Sequence, residues 1–213
     1  CKLYPKEALM ASAIFCTSHD IPRMPNILVG DFMKESIEYE TNWDMEKDSY
    51  WFTNGVFDTD RFRQWEFDHD QIPKELLELA LNMQALTVFL QYTLPGLPSI
   101  FAGDEAGSMG YKDPMNRKPF PWNNIDERFL KIYKHMGELR NRYHEIFAST
   151  NFSIIQVDEK KLVYKRDNLI FVINRTSENI FIGEYNIKNA SFALKNVEEE
   201  HVLCAYNAVV IEM

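Results

Sequence analysis

Long apolar runs are missing from this chain. No stretch approaches the ~20 consecutive apolar residues of a membrane span. No apolar leader is visible either, so a cytoplasmic location is expected over secretion. The chain opens on Cys1 and not Met, so its first residue carries no information on targeting. Basic runs are missing too: none is longer than a pair such as Lys160-Lys161. With 23 Lys and Arg against 32 Asp and Glu, the net charge is −9 and the pI about 5.1. A nucleic-acid binder usually carries a basic patch. Nucleic acid and anionic membranes are therefore disfavoured, and a neutral partner suits the acidic surface better. Cysteine is scarce. Cys1, Cys16 and Cys204 cannot build a disulfide framework. Cys16 and Cys204 lie in apolar runs and are expected as buried thiols. The sequence contains neither an internal repeat nor a low-complexity segment.

What remains is an ordinary globular composition, 46% apolar and 26% charged, in 213 residues. The aromatic content is generous: 15 Phe, 10 Tyr and 4 Trp. These residues suit a packed core or a sugar-binding surface, because sugar rings stack on flat apolar faces.

The organisation changes along the chain. Pro5 and Glu7 suit a first helical turn, and the spacing predicts a helix over about 5–13. A buried strand over 14–17 follows, and an unbroken apolar strand after a helix points to a parallel sheet. Residues 24–72 are polar, acidic and aromatic without clean periodicity, which reads as a long insert with one or two short helices. Within it, Glu66, Asp68 and Asp70 alternate but lack the glycine and spacing of a calcium loop. They read as a solvated acidic turn. From Pro73, apolar residues recur at three and four up to Pro95-Gly96, the clearest helix in the chain. A short strand over 98–102 completes a helix-linked parallel pair. A second long helix is predicted over about 126–147. Beyond residue 150, short β-rich runs alternate with Asp, Lys and Asn turns, as in a small antiparallel sheet or sandwich.

Two polar triplets close the two predicted parallel strands: Ser18-His19-Asp20 and Gly103-Asp104-Glu105. In a parallel α/β barrel the C-terminal strand ends form the active face. Each triplet alone also fits a plain turn, the first with a satisfied imidazole, the second with an N-cap and a first-turn acid. Their joint position favours a site.

The stretches FCTSHDIPR and QYTLPGLPSIFAGDEAGSMGYKDPMNRKPFPW together resemble the C-terminal part of α-amylase-superfamily enzymes, glycoside hydrolase family 13. The resemblance is greatest to the cyclomaltodextrinase, neopullulanase and oligo-glucosidase branch. It implies a fold that is α/β plus all-β: the last two to three βα units of a TIM-type (β/α)8 barrel over 1–150, with the insert at 24–72, followed by a small antiparallel β-sandwich over 151–213. It also implies the two-carboxylate retaining scheme. Asp20 would be a third carboxylate, which holds substrate hydroxyls and stabilises the transition state. His19 would donate a hydrogen bond to the sugar in the same subsite. Arg23 belongs with the substrate-binding set, its fork best suited to orienting nearby acids. Asp113 and Arg117 would hold a neighbouring glucose unit. Asp104 and Glu105 would brace the barrel top.

The strands that would carry the nucleophile and the acid/base are not in this sequence. A full barrel takes about 250 residues, and residues 1–150 without the insert supply only two to three units. The chain is therefore expected to be inactive alone. The expected partners are an α-glucan oligosaccharide, the missing N-terminal barrel half, and a second copy through open sheet edges. No cofactor or metal is expected. Calcium in the full-length parent would draw on earlier loops and is not assignable to residues here. A noncatalytic carbohydrate-binding or assembly role is the alternative.

Overall fold

The computed structural model describes residues 4–30, 70–111 and 114–213. Most of the insert, the acids Glu66 and Asp68, Cys1 and Asp113 lie outside the described residues. The chain forms two compact units. One comprises Cys1–Cys16, Asn82–Ile100 and Glu127–Met213; the other comprises Thr17–Leu81 and Phe101–Asp126. These units interleave in sequence and do not follow a division at residue 150.

In the first unit, a short helix spans Lys6–Met10 after Pro5. It ends earlier than its composition predicts. The Ser12 hydroxyl donates to the Ala8 carbonyl at 2.9 Å and competes with helical continuation. Strand β1 (Ala13–Ile14) pairs in parallel with β2 (Leu97–Pro98), the arrangement expected of a helix-linked pair. Both strands are shorter than predicted. The Gln91 amide donates to the Ile14 and Ser99 carbonyls at 3.0 and 2.7 Å, and the Ile14 carbonyl also accepts from the Ser99 amide at 2.9 Å, so the long helix braces both strand ends. Nor are they buried: Phe15 is 62% and Leu97 57% exposed. The sheet has only these two strands among the described residues, so their outward side chains have nothing to pack on. Gly96, at φ +130°, joins helix to β2 where a Cβ would lie 2.7 Å from the Ser12 carbonyl oxygen.

The long helix spans Lys74–Thr93, as the apolar spacing predicts. Its last turn is held by two arginines. Arg140 donates to the Tyr92 and Gly96 carbonyls at 2.7 and 2.8 Å. Arg166, fully buried, donates to Thr93 and Leu94 at 3.0 and 3.2 Å, and to Phe147 and Ser149 at 3.0 Å each. Four otherwise orphaned carbonyls thus share one guanidinium. Burial lowers the Arg166 pKa to about 10.

The helix Glu127–Arg142 buries Phe129, Tyr133, Met136 and Leu139, spaced four, three and three. It breaks at Tyr143 (φ −114°, ψ 34°) before a separate turn, His144–Ala148, where the sequence predicts continuity.

The remainder is antiparallel sheet. Strands β3 (Ser153–Val157), β4 (Lys161–Arg166), β5 (Leu169–Asn174), β9 (Asn207–Glu212) and β7 (Phe192–Ala193) pair in that order. Strands β6 (Ile180–Phe181) and β8 (Val202–Leu203) form a separate pair. One apolar core joins both sheets: Val163, Val172 and Val209 from the large one meet Ile180 and Leu203 from the small one and Ile182 just after β6. The two described thiols, Cys16 and Cys204, are half-buried and not buried as expected. Cys204 accepts from the Asn207 amide at 3.2 Å, which an apolar run does not reveal.

The second unit is built of loops, a helix over 24–30, the first turns of the Lys74–Thr93 helix, and the 3-10 turns Asp104–Ala106 and Met115–Arg117. Val29, Ile72, Ala80 and Tyr111 form its core. None of the helices among the described residues is long and apolar enough to cross a membrane.

Candidate functional site

The second unit collects both polar triplets. Its centre is a buried ion pair. Arg23 and Asp104 are each 1% exposed, with Arg23 Nη1 3.2 Å from Asp104 Oδ1. Arg23 also donates to the Ala102 carbonyl at 2.8 Å and lies over the Phe101 ring at 4.0 Å. The buried Thr17 hydroxyl donates to the other Asp104 oxygen. Burial pushes the Asp104 carboxyl above its usual value, while the Thr17 hydrogen bond and the Arg23 charge oppose that rise. Gly103, at φ +105°, makes the turn, and a Cβ there would lie 2.6 Å from Ser108 Oγ. Glu105 folds back to accept from the Gly103 amide at 2.9 Å. Arg23 thus holds an acid and carbonyls and presents no face to a ligand in this structure.

Above this frame, Asp20 is open. Its side chain is 69% exposed and that of His19 60%, with His19 Nε2 3.1 Å from Asp20 Oδ1. Arg117, 45% exposed, reaches to 3.9 Å of the same oxygen. The structure therefore brings three sequence-selected residues, His19, Asp20 and Arg117, to one carboxylate.

Two buried asparagines tie the loops of this unit together, and sequence reasoning missed both. Asn116, 1% exposed, donates from Nδ2 to the His19 and Ile21 carbonyls at 2.8 and 2.9 Å. It ties the backbone on either side of Asp20 to the turn that carries Arg117. Asn26, also buried, donates to the Asp70 carbonyl at 3.2 Å and accepts from the Gly110 amide at 2.7 Å. Asn116 stands inside the DPMNR stretch, which was the available signal; Asn26 has none. Asp70 is not a solvated turn residue as expected. It is 14% exposed and paired with Lys118.

Chemically, an exposed carboxylate flanked by an imidazole and a guanidinium can accept hydroxyl donors while its neighbours donate to ring and hydroxyl oxygens. Three other acids of the unit, Asp70, Asp104 and Glu105, are already engaged. Among the described residues no group of three His, Cys, Asp or Glu could hold a metal ion.

No protein-family model matches the chain. Curated relatives do match. An amylopullulanase of Thermoanaerobacter thermohydrosulfuricus is 40% identical over 74 residues, 35% of this chain and 5% of that protein. A cyclomaltodextrinase of Thermoanaerobacter pseudethanolicus is 30% identical over 154 residues, 68% of this chain and 24% of that one. The chain thus spans a quarter or less of the curated relatives it matches: 5% and 24% of these two. Among solved structures, a debranching enzyme from Nostoc punctiforme superposes with a TM-score of 0.63 at 19% identity, over all of this chain and 37% of that one. An α-amylase from Geobacillus thermoleovorans, complexed with acarbose, gives 0.54 at 18% identity, over 94% of this chain and 38% of that one. At such identities these structures speak to fold alone.

Proposed function

We propose, from the premise that this chain belongs to the α-amylase superfamily as a C-terminal portion of such an enzyme, that it supplies one third of a retaining α-glucan hydrolase site. In that scheme one carboxylate attacks the anomeric carbon and a carboxylic acid protonates the leaving oxygen. Asp20 is the third carboxylate. It accepts hydrogen bonds from sugar hydroxyls and opposes the positive charge that develops on the ring. His19 orients the same sugar, and Arg117, with Asp113 outside the described residues, holds a neighbouring glucose unit. Arg23, Asp104 and Glu105 hold the loops that carry them. The nucleophile and acid/base come from barrel strands outside this chain, so the chain alone does not turn over substrate. The α/β portion corresponds to the last two to three βα units of the barrel, and the antiparallel sheets to the β-sandwich that follows it.

The observation that carries this reading is the convergence of His19 and Arg117 on the exposed Asp20 carboxylate. An assembly role draws support from a different observation, the exposed Phe15, Leu97 and Ile100 around a two-stranded parallel sheet. The test is an amide-resolved NMR titration of the full chain with maltotriose. Shifts at residues 18–21 and 117 at millimolar ligand, lost in Asp20→Ala, are expected of half a cleft. No shift in that segment would refute the assignment.

A further inference from the structure

We propose a second carbohydrate-binding site on the antiparallel-sheet part of the chain, centred on Phe181. In β6 and just beyond it, Ile180 and Ile182 point inward, 7% and 1% exposed, so the strand alternation turns Phe181 outward. It is 69% exposed. Folding gains little from a phenyl ring there, and a polar residue would serve the strand equally well. The ring lines a pocket of about 540 Å³ with Asp158, Glu159, Lys160, Lys161 and Asn179. That volume lies within the roughly 300–1,000 Å³ of small-ligand sites.

The polar wall is preformed. The Asp158 carboxylate accepts from the Lys160 and Lys161 amides at 2.9 Å each, which closes the β3–β4 turn. Arg175 pins the turn from outside, donating from Nε to the Glu159 carbonyl at 2.6 Å. Asn179 is fixed through its Oδ1, which accepts from the Ala205 amide at 3.1 Å. Its Nδ2 donors are left for a ligand. Two carboxylates and two ammonium groups line the pocket, so its formal charge balances to zero. A balanced set of donors and acceptors beside an open aromatic face matches a neutral polyhydroxyl ring: hydroxyls meet the wall while the C–H face lies on the phenyl. An anion would meet Asp158 and Glu159 while the Lys160 ammonium is already 3.8 Å from Glu178 Oε2. The site itself stands on this geometry. Its ligand class, an α-linked glucan, rests on the proposed function.

The test uses the full chain and maltoheptaose, followed by amide-resolved NMR in wild type, Phe181→Ala, Phe181→Trp and Asp20→Ala. Shifts at 158–161 and 179–181 are expected, unchanged in Asp20→Ala, weakened about tenfold in Phe181→Ala, and retained in Phe181→Trp. Because Phe181 is exposed, the alanine variant should melt with wild type, which separates binding from folding. Shifts confined to 18–21 and 117 would overturn the second site and leave the Asp20 reading intact. Shifts at the Phe181 pocket alone would support it and remove the Asp20 reading. No shift in either place would overturn both.

Discussion

The buried pair Arg23–Asp104 makes an asymmetric prediction. Asp104→Ala removes the acceptor of both Thr17 and Arg23 and leaves a guanidinium, 1% exposed, without a counter-charge. An arginine cannot shed its proton to escape, so the cost is the uncompensated buried charge, about 3–5 kcal/mol. Arg23→Met keeps most of the volume over Phe101 and leaves Asp104 alone. Asp104 can escape by taking up a proton, and burial already pushes its carboxyl upward. Near pH 5 the arginine change should therefore cost less, about 1–3 kcal/mol, chiefly the lost hydrogen bonds. The sign with pH follows. A carboxyl whose folded pKa exceeds its unfolded 3.8 favours the folded state below that value, and the benefit is lost as pH rises toward the folded pKa. Removing Arg23 raises that folded value further, so Arg23→Met should weaken steadily between about pH 4 and 7. The assay is urea unfolding followed by circular dichroism at pH 5 and 7. With a slope of about 2 kcal/mol per molar urea, Asp104→Ala moves the midpoint down by about 1.5–2.5 M. A shift below about 0.5 M, or an Arg23→Met variant weaker than Asp104→Ala at pH 5, would refute the reasoning.

Further expectations rest on other contacts. Asn116→Ala frees the His19 and Ile21 carbonyls; hydrogen exchange should speed at amides 19–21, with a stability loss of about 1–3 kcal/mol. Unchanged exchange there would mean that Asn116 does not hold the Asp20 loop. Arg166→Met leaves the buried Thr93 and Phe147 carbonyls without their donor; at about 1–3 kcal/mol each, a melting temperature at least about 4 °C lower is expected, read by differential scanning fluorimetry. The Asp167 carboxyl is held below its usual value by the Asn151 amide. Its stabilisation is present above pH 3.8 and lost as pH falls through the lowered value, so Asn151→Ala should flatten the acid limb of a melting-temperature profile.

The sequence carried the long-range frame better than the local detail. Apolar residues at three and four over Lys74–Thr93 and in Glu127–Arg142 marked both long helices. The helix-linked apolar runs marked the parallel pairing of Ala13–Ile14 with Leu97–Pro98. Strand length was not legible, because no residue pattern marks where the strands stop, after Ile14 and Pro98. At the site, His19, Asp20 and Arg117 could be chosen by residue type and position. Their supports could not. Asn116 and Asn26 act through backbone carbonyls and amides, which leave no periodic or compositional trace. The split at Tyr143 is a backbone event that no apolar spacing announces. The shared burial of Thr17, Arg23 and Asp104 depends on segments some eighty positions apart meeting in one turn.

The central claim, that Asp20 serves a site whose reacting carboxylates lie outside this chain, is tested most directly by turnover. Purified chain and its Asp20→Asn variant are incubated with maltooligosaccharides, and new reducing ends are measured. The account predicts none from either protein. Turnover by the chain that disappears in Asp20→Asn would contradict it.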